Sequence, residues 1–158
     1  MHTAVAAPAP VAEAAVALLL RLAAPERLLC AALACSASSG ATALHLALLG
    51  EGGRSCGDVG PERAAEALSL CQLLLAAGSD VDAPMLEAVG TGGRIKSLRP
   101  LDVLTDRLLS APVGVPGWPY TGSSEWRLVA EELLAARARV ALCSEETRVW
   151  LRKAGLRA

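Results

Sequence analysis

The stretch "GATALHLALL", residues 40–49, decides how this chain is read. It sets His45, one of two histidines in the sequence, in a short apolar run behind a glycine and a threonine. A neutral imidazole donates one hydrogen bond and accepts one, which suits it to tie backbone groups together in a tight turn. The competing chemical reading pairs His45 with Cys56 or Cys71 as a Cys-His nucleophile, but no orienting third group and no oxyanion hole are recognisable.

The surroundings of this stretch read as helices and glycine-rich breaks. "TALHLALL" opens a helix of about two turns, which "GEGGRSCGDVG" (50–60) stops with five glycines. The clearest helix follows in "PERAAEALSLCQLLLAAG" (61–78). Pro61 suits its first position, Glu62 the positive end of its dipole, and Gly78 a left-handed cap. "MLEAVGTGGRIKS" (85–97) is a glycine-rich connection. "RPLDVLTDRLLS" (99–110) restarts a short helix, "APVGVPGWPYTGSS" (111–124) interrupts it, and "EWRLVAEELLAA" (125–136) runs another. A last helix begins near Ser144, whose hydroxyl serves as N-cap with Thr147 at the third helical position. Towards the N-terminus, residues 1–10 are Ala- and Pro-rich and are expected to be flexible. "VAEAAVALLLRL" (11–22) and "APERLLCAALAC" (24–35) read as helices, the first apolar nearly all round.

Composition narrows the function classes. The chain has 158 residues, the length of one ordinary domain. Its 53% apolar share is carried by Ala, Leu and Val, with no Phe, one Tyr and three Trp. Small side chains let helices approach closely but fill little volume each, so an all-α architecture is expected. A formal net charge of −1 supplies no global attraction for nucleic acid or anionic lipid. Five cysteines without a C-x-x-C spacing, beside two histidines, give no metal-ligand pattern and point to free thiols in a reducing compartment, the cytosol or nucleus. The N-terminus lacks the basic start of a secretory signal, and no uninterrupted apolar run reaches spanning length. No cofactor, nucleic acid, membrane or small-molecule substrate is expected.

Two segments repeat one pattern. "SGATALHLALL", a polar loop and "EALSLCQLLLAAGSDVDA" are followed by "KSLRPLDVLTDRLL", a polar loop and "WRLVAEELLAARARVAL". Units of this kind bury their faces only against neighbours, as stacked solenoids do. The first segment resembles the ankyrin repeat, a turn plus two helices with a T-P-L-H signature. Gly40, Thr42, Leu44, His45 and Ala47 fall on its start, and Gly78, Asp80, Val81 and Asp82 on its end. The second segment is looser. Pro100 and Leu101 match, but Arg99 replaces the threonine, Asp102 the histidine, Glu132 a core leucine and Arg137 the capping glycine.

The resemblance implies a short solenoid of stacked helix pairs with long inter-helix loops. It divides residues 11–158 into a degenerate or capping repeat (11–36), repeats at 37–90 and 91–142, and a C-terminal cap (143–158). It implies that His45 and the Thr42 hydroxyl tie turns within and between repeats. It further implies a non-catalytic protein-binding module, an adaptor, scaffold or inhibitor. Its partner would be another protein, held by hairpin tips and first helices centred on residues 37–45 and 91–103. Arg94, Lys96 and Arg99 at the basic hairpin, with Trp118 and Tyr120 in the loop "GWPYTG", are the candidate contacts. A substrate receptor of a ubiquitin ligase, a structural subunit of a complex and a small Cys/His enzyme are the alternatives.

Overall fold

In the computed structural model, residues 11–22, 39–49, 60–89, 94–110 and 124–156 are described. They form helix α1 (Val11–Leu22), α2 (Ala43–Leu49), α3 (Pro61–Ala76), strands β1 (Met85–Val89) and β2 (Arg94–Leu98), then α4 (Pro100–Ser110) and α5 (Ser124–Ala135). A 3-10 turn (Val140–Leu142) and α6 (Glu145–Lys153) follow. The expected helix at 24–35 lies outside the described residues.

The helices stand in two rows. One row runs α2, α4, α6, with α4 packed against both others; the second runs α1, α3, α5, with α3 in the middle. Contacts of α2 with α3 and of α4 with α5 join the rows. This arrangement follows from the apolar spacing. In α3 the fully buried positions Ala64, Ala67, Leu70, Cys71 and Leu74 recur at three- and four-residue intervals and form one stripe. Alanines at two of these positions let α1 and α5 approach closely, while Leu44, Leu48, Leu104 and Trp126 supply the volume between the rows. Each of those leucines contributes about 2 kcal/mol by burial.

Three of the helices end in the same way. After α3, Gly78 takes φ +88°, its amide donates to the Leu75 carbonyl and the Ser79 amide to the Leu74 carbonyl. After α5, Arg137 takes φ +68°, with the matching bonds from Arg137 to Leu134 and from Ala138 to Leu133. Gly155 repeats the pattern behind α6. These are left-handed caps that satisfy the last carbonyls of a helix. The N-cap expected at Ser144 is present, its Oγ accepting from the Thr147 amide at 3.2 Å.

The described residues are mostly helical, and the all-α expectation needs one correction. The connection at 85–97 contains two antiparallel strands, Met85 opposite Leu98 and Val89 opposite Arg94. The alternation around the glycine-rich turn accounts for it. Met85 and Leu98 point to the core and are buried, while Leu86 and Ile95 point the other way and are exposed.

Candidate interaction surface

Two junctions hold the first-helix row together, and each sits just before or within the first turn of a helix. At α2, His45 Nδ1 accepts from the Thr42 amide (3.1 Å) and lies 2.8 Å from Thr42 Oγ1. With Nδ1 accepting, the proton sits on Nε2, which donates to the Leu98 carbonyl at the end of β2 (3.3 Å). The ring is fully buried. Burial pushes its pKa down from 6.5 to about 4, against the opposing effects of the Leu98 and Ala83 carbonyls and the Asp80 charge. His45 is therefore a neutral bridge at physiological pH, with both ring nitrogens engaged.

At α4 the same position is Asp102. Its Oδ2 accepts from the Arg99 amide, three residues back as in the histidine junction (3.1 Å). Its Oδ1 accepts from the Ser144 amide (2.8 Å) and the Thr147 hydroxyl (2.7 Å), the cap of α6. The replacement of histidine by aspartate keeps both functions of the site, closing the turn and reaching the following unit. Asp82 adds a link between the tails of the two segments, accepting from the Arg139 amide (2.9 Å) and pairing with its guanidinium (2.7 Å).

Gly40 positions this network. It takes φ +72°, and a Cβ there would lie 3.2 Å from the Pro84 carbonyl oxygen, so the turn and the base of β1 meet closely only through glycine. Next to it, the Leu86 amide donates to the Ser39 carbonyl at 2.7 Å.

The far end of α2 is held by two arginines that the sequence reading did not single out. Arg63 of α3 donates to the Ala47 carbonyl (2.7 Å) and pairs with Glu66. Arg107 of α4 donates to the carbonyls of Leu48 (2.5 Å) and Leu49 (2.6 Å), with its guanidinium 5.4 Å from the ring centroid of Trp126. Both place positive charge where the helix dipole is negative.

Accessible features on the first-helix side lie on the hairpin and along α4 and α6. Lys96 reaches from β2 to Asp106 of α4 (3.2 Å). Arg99 donates to the Leu142 carbonyl (2.6 Å) and is committed to the fold. Arg94 begins β2 at the turn, and its side chain lies outside the described residues, as do Trp118 and Tyr120. A shallow groove of about 280 Å³ opens between the end of α4 and α6, lined by Leu109, Glu145, Glu146, Val149 and Trp150.

Among the described residues of 37–45 and 91–103, the accessible surface is smaller than the sequence suggests. Residues 41–45 and 100–103 are buried, because the turns they form are clamped under the His45 and Asp102 junctions. Within the first span residues 39–40 remain partly exposed, and within the second residues 95–97 and 99.

The cysteine chemistry is subdued where it can be seen. Cys71 is fully buried, and burial pushes its thiol up to about 12; Cys143 is raised to about 11, again chiefly by burial. Cys56 lies outside the described residues. No described helix is long and apolar enough to cross a membrane. Comparison with protein-family models, with curated proteins and with solved structures finds no match to this chain.

Proposed function

We propose that the chain is a short ankyrin-like stack of helix pairs and works as a non-catalytic protein-binding module. One observation carries the reading. Two successive turn-helix units are joined through equivalent positions, His45 to Leu98 and Asp102 to Ser144 and Thr147, although the residues differ. A device repeated in geometry but not in residue type is what a stacked repeat requires, since each unit buries its face only against the next. The closure of one row by the polar-faced α6, with Arg148, Arg152 and Lys153 at its exposed positions, supports the same reading. So does α1, which stands in the second-helix row against α3, the place a degenerate first repeat would fill.

The neutral, doubly engaged His45 and the buried Cys71 thiol count against the alternative of a Cys-His pair formed by these two residues. The partner-facing side is the first-helix row with the hairpin: Lys96, the groove beside Leu109 and Val149, and the ribbon itself. The test is site-specific photo-crosslinking of the full chain in cell extract. A crosslinker at Lys96 or Val149 captures a discrete protein, and one at Arg127 on the second-helix row does not. Equal capture at both sides, or none at either, overturns the assignment.

A further inference from the structure

We propose that β2 is an open edge strand which takes an extended, acidic segment of a partner protein by strand addition. The inference rests on the reading of this chain as a protein-binding module and moves the principal contact to the side of the hairpin.

The register determines which backbone groups are available. The Leu86 amide points away from β2, to the Ser39 carbonyl, so Leu86 and its partner Ser97 form a non-hydrogen-bonded pair. By the two-residue period, Ile95 is equivalent to Ser97, and the N–H and C=O of both residues point out of the outer edge of β2. The two edges differ. The base of β1 is closed by the Ser39 turn, whereas nothing among the described residues pairs with the outward groups of Ile95 and Ser97. The following segment turns through the 3-10 element Val140–Leu142 and meets the flank of β2 at the Arg99 guanidinium, with no bond to Ile95 or Ser97 among the described residues.

The side chains beside that edge indicate the occupant. Ile95 of β2 is 69% exposed and offers an apolar contact to an incoming strand, with Leu86 of β1, 55% exposed, on the same face one strand further in. The hairpin with its flank, residues 85–99, carries Arg94, Lys96 and Arg99 against Glu87 alone, in a chain whose formal net charge is −1. Lys96 pairs with Asp106 yet keeps 36% of its side chain exposed, so its ammonium is still open to a second carboxylate. A second copy of the chain fits less well. Two β2 strands side by side would bring basic residues against basic residues, the arrangement that protects natural sheet edges from self-association.

The probe is an end-blocked, fluorescein-labelled heptapeptide alternating valine and glutamate, titrated against the full chain, with the valine–lysine peptide as control. The glutamate peptide binds, more weakly as salt rises, and slows solvent exchange of the Ile95 and Ser97 amides. Ser97→Pro deletes an outward N–H while leaving every ladder bond of the hairpin; it weakens binding at least about tenfold. Circular dichroism and melting check that this variant is folded, and Ile95→Pro is the second variant at the other outward amide. Failure of the glutamate peptide to bind overturns the proposal, as does binding indifferent to both proline variants. A dimer in light scattering that Ser97→Pro dissolves, without peptide binding, replaces the partner by a second copy. Crosslinking at Lys96 and Val149 is read independently of the peptide, so loss of the edge reading is distinguishable from loss of the module reading.

Discussion

The His45 and Asp102 junctions do one job with opposite chemistry. The histidine is neutral, accepts at one nitrogen, donates at the other, and reaches a backbone carbonyl. The aspartate only accepts, and what it reaches in the next unit is a set of donors, the Ser144 amide and the Thr147 hydroxyl. The difference teaches that the identity of the bridging residue is set by what the neighbouring unit presents. Ahead of α4 the chain presents the carbonyl at the end of β2, so a donor is needed; ahead of α6 it presents a capped helix N-terminus, so an acceptor is needed.

The comparison breaks most visibly at Asp102. Asp102→Ala leaves two amides and a hydroxyl without their acceptor and lowers stability by about 4 kcal/mol, read as a shift of the urea midpoint. Loss of α6 packing should appear first as a change in Trp150 fluorescence.

His45 gives the next largest effect, and it depends on pH. Its folded-state pKa of about 4 lies below the 6.5 of the unfolded chain, so the unfolded chain takes the proton first. The stability is complete above the unfolded value and is lost as pH falls toward the folded one, by about 2 kcal/mol between pH 7 and pH 5. Urea titrations across that range detect it. His45→Gln lowers stability at pH 7 and removes this part of the slope, whereas Asp102→Ala retains it. An unchanged slope in His45→Gln would refute the buried neutral assignment.

The smallest effects sharpen a second pair, the caps at Gly78 and Arg137. A Cβ added at Gly78 would meet no atom within 4 Å, so Gly78→Ala incurs only the left-handed backbone penalty, about 1 kcal/mol destabilising. Arg137 already bears that penalty, and Arg137→Gly should raise stability by somewhat less than about 1 kcal/mol, since glycine also frees the unfolded chain. Thermal melts of the two variants should move in opposite directions.

What could be read from the sequence were features written in local chemistry. Pro61 at a helix start, Gly78 at a helix end, Ser144 as a cap and the threonine-histidine turn each act within a few residues, and each stands where the sequence places it. Asp102 was legible as a departure from the histidine pattern but not as its functional equivalent, because the donors it reaches beyond its own turn come from 42 and 45 residues away. The strands were hidden by their length. Five residues on each side of a glycine-rich turn carry too little alternation to stand out from a loop. Arg63 and Arg107 were hidden by type, since a guanidinium that serves as a helix cap from another element has no local signature. The surface is smaller than expected for a related reason: turn residues read as accessible from sequence alone, and the junctions that bury them are closed by distant partners.

The grip of Arg107 on α2 bears on how the chain is made. Helix α2 has seven residues, too few to persist by itself, and Arg107 lies 59 residues beyond Leu48, the carbonyl it holds. At a synthesis rate of about 5–20 residues per second, that separation is roughly 3–12 s. For part of that interval Leu44 and Leu48 have α3 to pack against but not yet α4. Translation therefore caps the end of α2 in two stages, first with Arg63 and later with Arg107.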